Sequence, residues 1–348
     1  MFGRILVPLD GSKRSEEAIP VAARIARATG GTIVFVEVVL PPVEFGTYTA
    51  ERTISLKPGA FKRREHAAAS YLTGIPETYA DELAGINTEL DLSVGAASPE
   101  IYEEARLEAV DLIVLCSQGE TGLKRWAFGS IAQEAVRHSP VPVLVLNHHG
   151  AIPPMLDATH PLRILVPLDG SELAEAVILP TAYLVAALSA SLQNALHFLR
   201  VVDLPSAYGK IKSQAHISDL MQDEVKQEAE KYVKSVAERY AKDLAGFNLQ
   251  VSSSVVVNTD VAGTIVREAA QVRDVTKSTG YDLIAMATHG RSGLLRLVMG
   301  SVAEHILGTT KLPLFIVRPH AETKGKKTGK AVQTEVTEVE VQSWVGLL

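Results

Sequence analysis

Short apolar runs alternate with amphipathic stretches along most of the chain. Ile5-Leu-Val-Pro-Leu9 is closed by Asp10-Gly-Ser12, after which Ala18, Val21, Ala22 and Ile25 recur on one face at helical spacing. This predicts a strand, then a helix capped by Ser12 and ended by Gly30-Gly31. Thr32–Val39 is apolar on both faces, as a buried strand of a parallel sheet is. A Pro/Gly/Thr-rich loop over 41–60 leads to a helical stretch, a strand at Leu90–Val94, a helix near Glu100–Ala109 and a strand at Asp111–Leu115. A helix from about Ser130 and a strand at Val141–Leu146 complete the unit. Five strands alternating with four helices describe a doubly wound α/β domain with an open parallel sheet.

The whole order then comes a second time. Arg4–Ser12 returns letter for letter as Arg163–Ser171, and strands are expected at Ile164–Leu168, Ala195–Val202, Leu249–Val257, Asp282–Met286 and Leu314–Val317. The longest helix of this half carries Met221, Val225, Ala229, Tyr232, Val233, Val236 and Tyr240 in one stripe, with Lys and Glu elsewhere. A period this long is a domain duplication, since solenoid repeats run about 20 to 50 residues. The offset between copies grows from 159 at Arg4 and Arg163 to 171 at Gly119 and Gly290, so the second copy holds 12 added residues between its opening strand and that glycine. Two tandem domains follow, 1–147 and 162–319, joined by a linker over 148–161. Residues 320–348 form a tail, expected to be flexible or, from the alternation in Val332–Val345, to add an edge strand.

Composition narrows the function classes. With 47% hydrophobic and 21% charged residues the chain has the make-up of a soluble globular protein. A net charge of −6, with no basic run, gives no electrostatic reason for a nucleic-acid or anionic-membrane partner. No uninterrupted apolar stretch approaches the ~18 residues of a membrane span. Cys116 is the single cysteine and the opening residues enter a strand at once, so a reducing cytoplasm is expected and a signal peptide is not. His148 and His149 in the linker have no Cys or second His pair at metal-ligand spacing, so no metal site is expected there.

The candidate chemistry lies directly after the fourth strand of each half. Gly119 is followed nine residues later by Gly129-Ser130, and Gly290 nine residues later by Gly300-Ser301. In a doubly wound sheet this is the carboxyl edge, where ligands bind. Glycine lets backbone amides approach an anion, and each Gly-Ser pair opens a helix whose N–H groups and dipole favour negative charge. Neither pair is preceded by the lysine of a P-loop, and no acids stand at a fixed spacing for metal-assisted phosphoryl transfer.

On these residues the chain resembles a tandem universal stress protein over residues 1 to about 319, a fold related to other adenine-nucleotide-binding α/β domains (adenine nucleotide alpha hydrolase-like). Its nucleotide-binding members carry Gly, two residues, Gly, nine residues, then Gly-Ser or Gly-Thr. Cys116 and Ala287 stand where that pattern has its first glycine. The resemblance implies that Pro8, Asp10 and Val38 line the adenosine side of the first pocket, with Gly119, Gly129, Ser130 and Ile131 around the phosphates. In the second pocket it implies Pro167, Asp169 and Val201 for adenosine, and Gly290, Gly300, Ser301 and Val302 for phosphates. Asp10 and Asp169 have a second reading as turn or capping carboxylates, compatible with the first.

The implied ligand is ATP or another adenine nucleotide, with Mg2+ as an optional companion. Arg291 follows the loop glycine in the second copy where Glu120 does in the first, which favours the second site for a polyphosphate. In the family the last strands pair across a two-fold interface, so the halves are expected to dock as a pseudo-dimer and two chains to form a homodimer. The implied function is a nucleotide-binding stress regulator with little or slow ATP turnover. The alternatives are a structural or chaperone-like dimerisation module with vestigial pockets, and a weak ATPase or self-phosphorylating protein.

Overall fold

A computed structural model of the chain describes residues 1–41, 59–117, 129–147, 155–157, 159–189, 192–203, 215–270, 280–288 and 300–319. The expectations for the loop over 41–60, for His148 and His149 and for the tail fall wholly or almost wholly outside these residues.

The first copy supplies β1 (Arg4–Leu9), β2 (Thr32–Val39), β3 (Asn87–Val94), β4 (Leu112–Cys116) and β5 (Val143–Leu146). The second supplies β6 (Arg163–Pro167), β7 (Asn194–Val202), β8 (Leu249–Val257), β9 (Leu283–Ala287) and β10 (Leu314–Val317). Each copy is a five-stranded parallel sheet, and the two are fused into one ten-stranded sheet of order β3-β2-β1-β4-β5-β10-β9-β6-β7-β8. Among the described strands only the seam is antiparallel, with Val143 opposite Ile316, Leu144 opposite Phe315 and Val145 opposite Leu314. Antiparallel pairing of equivalent strands is what a two-fold relation between the copies requires.

Alternation along the strands divides the core into two layers. Ile5 and Val7 of β1 face the helix Ala18–Thr29, while Leu6, Val34 and Val36 face Ile101 and Ala105 of Ala97–Leu107 and Ala132 of Ser130–His138. The first layer runs unbroken through the seam, where Phe2 meets Phe315 edge to face at 6.4 Å. There Arg24 donates to Leu188 O at 2.5 Å and Leu156 O at 2.6 Å, tying Ala18–Thr29 to the second copy's Ile178–Ser189. The stretch 172–189 is long and apolar enough on average to cross a membrane. It folds instead as two helical segments whose Ile178, Ala182, Val185 and Leu188 are buried in this layer.

The helix expected after Ser12 is split into Lys13–Glu16 and Ala18–Thr29, and its repeat into Glu172–Glu175 and Ile178–Ser189. Pro20 and Pro180 explain the break. Each is the third residue of the second segment, where a missing N–H costs nothing, whereas one continuous helix would need that donor. Ser12 still caps as expected, accepting from Ser15 N at 3.2 Å, and its repeat Ser171 accepts from Ala174 N at the same distance. Gly30 ends the first long helix at φ 67°, a left-handed position suited to glycine.

Comparing equivalent elements locates the added residues of the second copy. The offset is 159 at the start of β6, 163 at the end of β7, 164 at Val261 and 171 at the start of β9. More than half of the insertion therefore lies between the helix Val261–Ala270 and β9, around residues 271–279, which are outside those described.

Candidate functional site

Each copy has a cleft at the carboxyl edge of its sheet, beside the point where the chain order reverses between β1 and β4 and between β6 and β9. The first cleft holds about 740 Å³ and the second about 650 Å³, counting the part open to solvent. Pro8, Asp10, Val38, Cys116, Gly129, Ser130 and Ile131 all line the first. Pro167, Asp169, Val201, Ala287, Gly300, Ser301 and Val302 all line the second. Gly119, Gly290 and Arg291, like Glu120, lie outside the described residues.

One wall is the aspartate turn. Asp10 Oδ1 accepts from Ser12 N at 3.1 Å and Ser12 Oγ at 2.6 Å, and Asp169 Oδ1 from Ser171 N at 3.0 Å and Ser171 Oγ at 2.6 Å. The turn role of both carboxylates is thus formed, at a place where they also border the cleft. The facing wall is a helix start. Gly129 N donates back to Ser117 O at 2.6 Å and Gly300 N to Thr288 O at 3.0 Å, joining each helix start to the residue that follows the fourth strand of its copy. Helical bonding resumes only with Gln133 N to Gly129 O and Glu304 N to Gly300 O. Helix geometry therefore leaves the N–H groups of residues 130–132 and 301–303 without intrahelical acceptors, at the positive end of each dipole.

The floor is apolar. Val36, Val38 and Ile101 supply it in the first copy, and Leu199, Val201 and Ile265 in the second. Cys116 belongs to this floor, where burial, with Glu17 and Asp10 near, pushes its thiol well above the ordinary range. That is the state of an inert packing residue.

Behind each aspartate turn a glutamate is buried against the long helix that follows the second strand of its copy, Ala60–Thr78 in the first and Ala215–Leu244 in the second. Glu16, 3% exposed, accepts from Tyr71 at 3.1 Å, Tyr79 at 2.6 Å and Lys13 at 2.7 Å. Burial alone would raise its carboxyl, but hydrogen bonds from Lys13, Tyr79 and Tyr71 hold it below the usual range. Glu175, 5% exposed, accepts from Tyr232 at 3.0 Å and Arg239 at 2.8 Å. These glutamates lie within a stretch that reads in sequence as a capped helix start, and only the repeat of Glu16 as Glu175 marks them.

A second charged pair distinguishes the copies. Pro8 stands opposite Val36 as Pro167 does opposite Leu199, so the next residues along β2 and β7, Glu37 and Arg200, occupy equivalent places. Arg200 lines the second cleft, donating to Leu168 O at 3.3 Å. Among the described residues Glu37 Oε2 is buried without a hydrogen-bond partner, and burial with the charge of Asp10 raises its carboxyl above the ordinary value. Matching Val38 to Val201 in the sequence already aligns Glu37 with Arg200, which was the signal available for this pair.

Comparison with known proteins gives a consistent picture. A family model described as the universal stress protein family matches residues 1–147 and 162–318. A universal stress protein of Mycobacterium tuberculosis is 27% identical over 334 residues, spanning 90% of this chain and 96% of that protein. A second from the same organism is 26% identical over 327 residues, with the same coverage of both. Among solved structures, a universal stress protein from Archaeoglobus fulgidus superposes with a TM-score of 0.60 at 16% identity, covering 91% of this chain and 99% of that one.

Proposed function

Since the chain belongs to the universal stress protein family, we propose that it is a nucleotide-binding member, holding ATP or another adenine nucleotide in the sheet-edge clefts. One observation supports this most: in each copy an apolar floor is faced by a helix start whose first N–H groups are unclaimed among the described residues, across from an aspartate turn. An adenine ring suits the floor, and an anionic tail suits the amides. A bare inorganic anion would leave the floor unused. Among the described residues no three His, Cys, Asp or Glu side chains converge as metal ligands, so Mg2+ would arrive on the nucleotide's phosphates. Among the described residues, the lining offers no activated nucleophile or general base for fast hydrolysis. The bound nucleotide then acts in a cytoplasmic stress response by biasing conformation or partner choice, which requires unequal affinity for two states.

Equilibrium dialysis of the intact chain against ATP, ADP and AMP tests the reading, together with mass spectrometry of ligand that copurifies. Saturable uptake is the expected result. No uptake of any of the three, by protein with an intact melting transition, would remove it in favour of a docking module with vestigial pockets.

A further inference from the structure

We infer that the two clefts have divided their work by charge: Arg200 makes the second an acceptor of anionic ligands, and Glu37 at the equivalent place sets the first against them. This rests on the nucleotide reading above and adds which copy takes the charged ligand, and through which residue. Among the described residues that line the clefts, the first has one charged group, Asp10, and no cation. The second has Asp169 together with Arg200. The Arg200 guanidinium lies over the aspartate turn, 3.7 Å from where a side chain on Gly170 would begin, and Arg200 borders both the main cleft and an adjoining one of about 1220 Å³ beneath the long helix. That adjoining cleft also carries Asp203 and Glu228, which places the favourable site for an anion in the main cleft, between Arg200 and the start of Ser301–Thr309.

In the first copy the same place is acidic. Glu37 and Asp10 interact as like charges, and Glu16 lies next along the same turn with Lys13, 81% exposed, as its cation. A polyphosphate in the first cleft finds Asp10 and no cation among the described lining residues, with Glu37 close behind that aspartate, where the second copy offers a guanidinium beside its aspartate. Opposite signs at equivalent distances move the two affinities apart, and low local dielectric enlarges the gap. The position of the charge carries this difference.

Calorimetric titration of the full chain with ATP, and in parallel with uncharged adenosine, decides the matter. One ATP per chain at a strong site, with any second site at least tenfold weaker, is expected. Arg200→Glu should weaken the strong site at least tenfold while adenosine affinity changes less than threefold. Arg200→Met, which keeps the aliphatic stem, should fall between, and a melt of each variant confirms folding. Glu37→Gln should bring the weak site at least threefold closer to the strong one. Two equal ATP sites in the unaltered chain, or an ATP affinity indifferent to both Arg200 variants, overturns the inference and leaves nucleotide binding intact. Failure of ATP and adenosine alike to bind overturns the nucleotide reading itself.

Discussion

The two copies share a backbone plan but not an electrostatic one. Under the long helix of the first copy, Asp10, Glu16 and Glu37 gather with Tyr71, Tyr79 and one exposed lysine. The second places Asp169 and Glu175 with Arg200, Arg239 and Tyr232. Duplication supplies two equal clefts, and substitution at a few strand-end positions then makes them unequal without disturbing the strands. The apolar positions of β1 and β6 are identical because both sheet layers use them, whereas Glu37 and Arg200 stand at the carboxyl edge, where packing exerts less constraint.

The largest effect should come from closing the favoured cleft. Gly300 has an ordinary φ of −63°, and a Cβ there would meet Thr288 O at 3.4 Å, so Gly300→Val leaves the backbone unstrained and fills the lip above the helix start. ATP affinity should fall about a hundredfold, on the order of 3 kcal/mol. Gly129→Val in the first copy should change the strong site hardly at all. Titration of both variants checks the contrast, and equal losses would erase the distinction between copies.

Next in size are the buried glutamates. Glu16→Ala leaves two half-buried tyrosine hydroxyls without their acceptor, and should cost about 2 to 3 kcal/mol in urea unfolding. Glu175→Ala strands only Tyr232, because Arg239 is half exposed and turns to water, so about 1 to 2 kcal/mol is expected. The Glu16 carboxyl sits below its unfolded value of 4.5 in the folded chain, so its contribution is full above that pH and is lost as pH falls through the folded pKa. Urea midpoints at pH 7 and pH 3 should differ less in Glu16→Ala than in the unaltered chain.

Much of this was legible in the sequence, because apolar period and repetition report what layers of a sheet demand. β2 and β8 have the bounds the pattern predicts, and the described residues of the glycine motif do meet the aspartate turns across one cleft. The split after Glu16 was not read, since the prolines responsible are tolerated in a helix start and so look harmless in a periodic run. Ala97 and Val261, which border the clefts from the helix after the third strand, carry no motif and reach the site only through the fold. Arg200 was missed for another reason: a lone charge at the end of an apolar strand has no meaning until the equivalent residue is set beside it.

A smaller difference lies at the first copy's outer edge. Glu104, 7% exposed, shares a hydrogen bond with Asp91, and that bond, with burial, raises its carboxyl to about 7. At the place of Asp91 the second copy has Ser254, whose hydroxyl bonds His197 at 2.7 Å. A folded pKa above the unfolded 4.5 means the native state keeps the proton, so this stabilisation is full below pH 4.5 and fades as pH rises through 7. Glu104→Gln should remove about 1 to 2 kcal/mol of that pH dependence. Unfolding between pH 4.5 and 7.5 measures it, and a slope unchanged by the substitution would show that the pair does not hold a proton.

The smallest effect tests the seam itself. Arg137 pairs with Glu304 across the copies, both partly exposed, and Arg318 donates to Arg137 O at 3.2 Å. A perfect two-fold would repeat the ion pair, yet the offset of 171 places Gln133 at the position of Glu304 and Gly308 at that of Arg137. One pair therefore stands where symmetry would give two. Its exposure limits it to about 0.5 kcal/mol, screened further by salt, while the apolar seam of Leu144, Phe315 and Phe2 carries the association. Arg137→Ala should lower stability by no more than that at low salt and by nothing measurable at 1 M salt, with the backbone bond from Arg318 retained. A loss several times larger that persists in high salt would mean that the seam depends on its charged rim, and that the copies are joined less symmetrically than their strands imply.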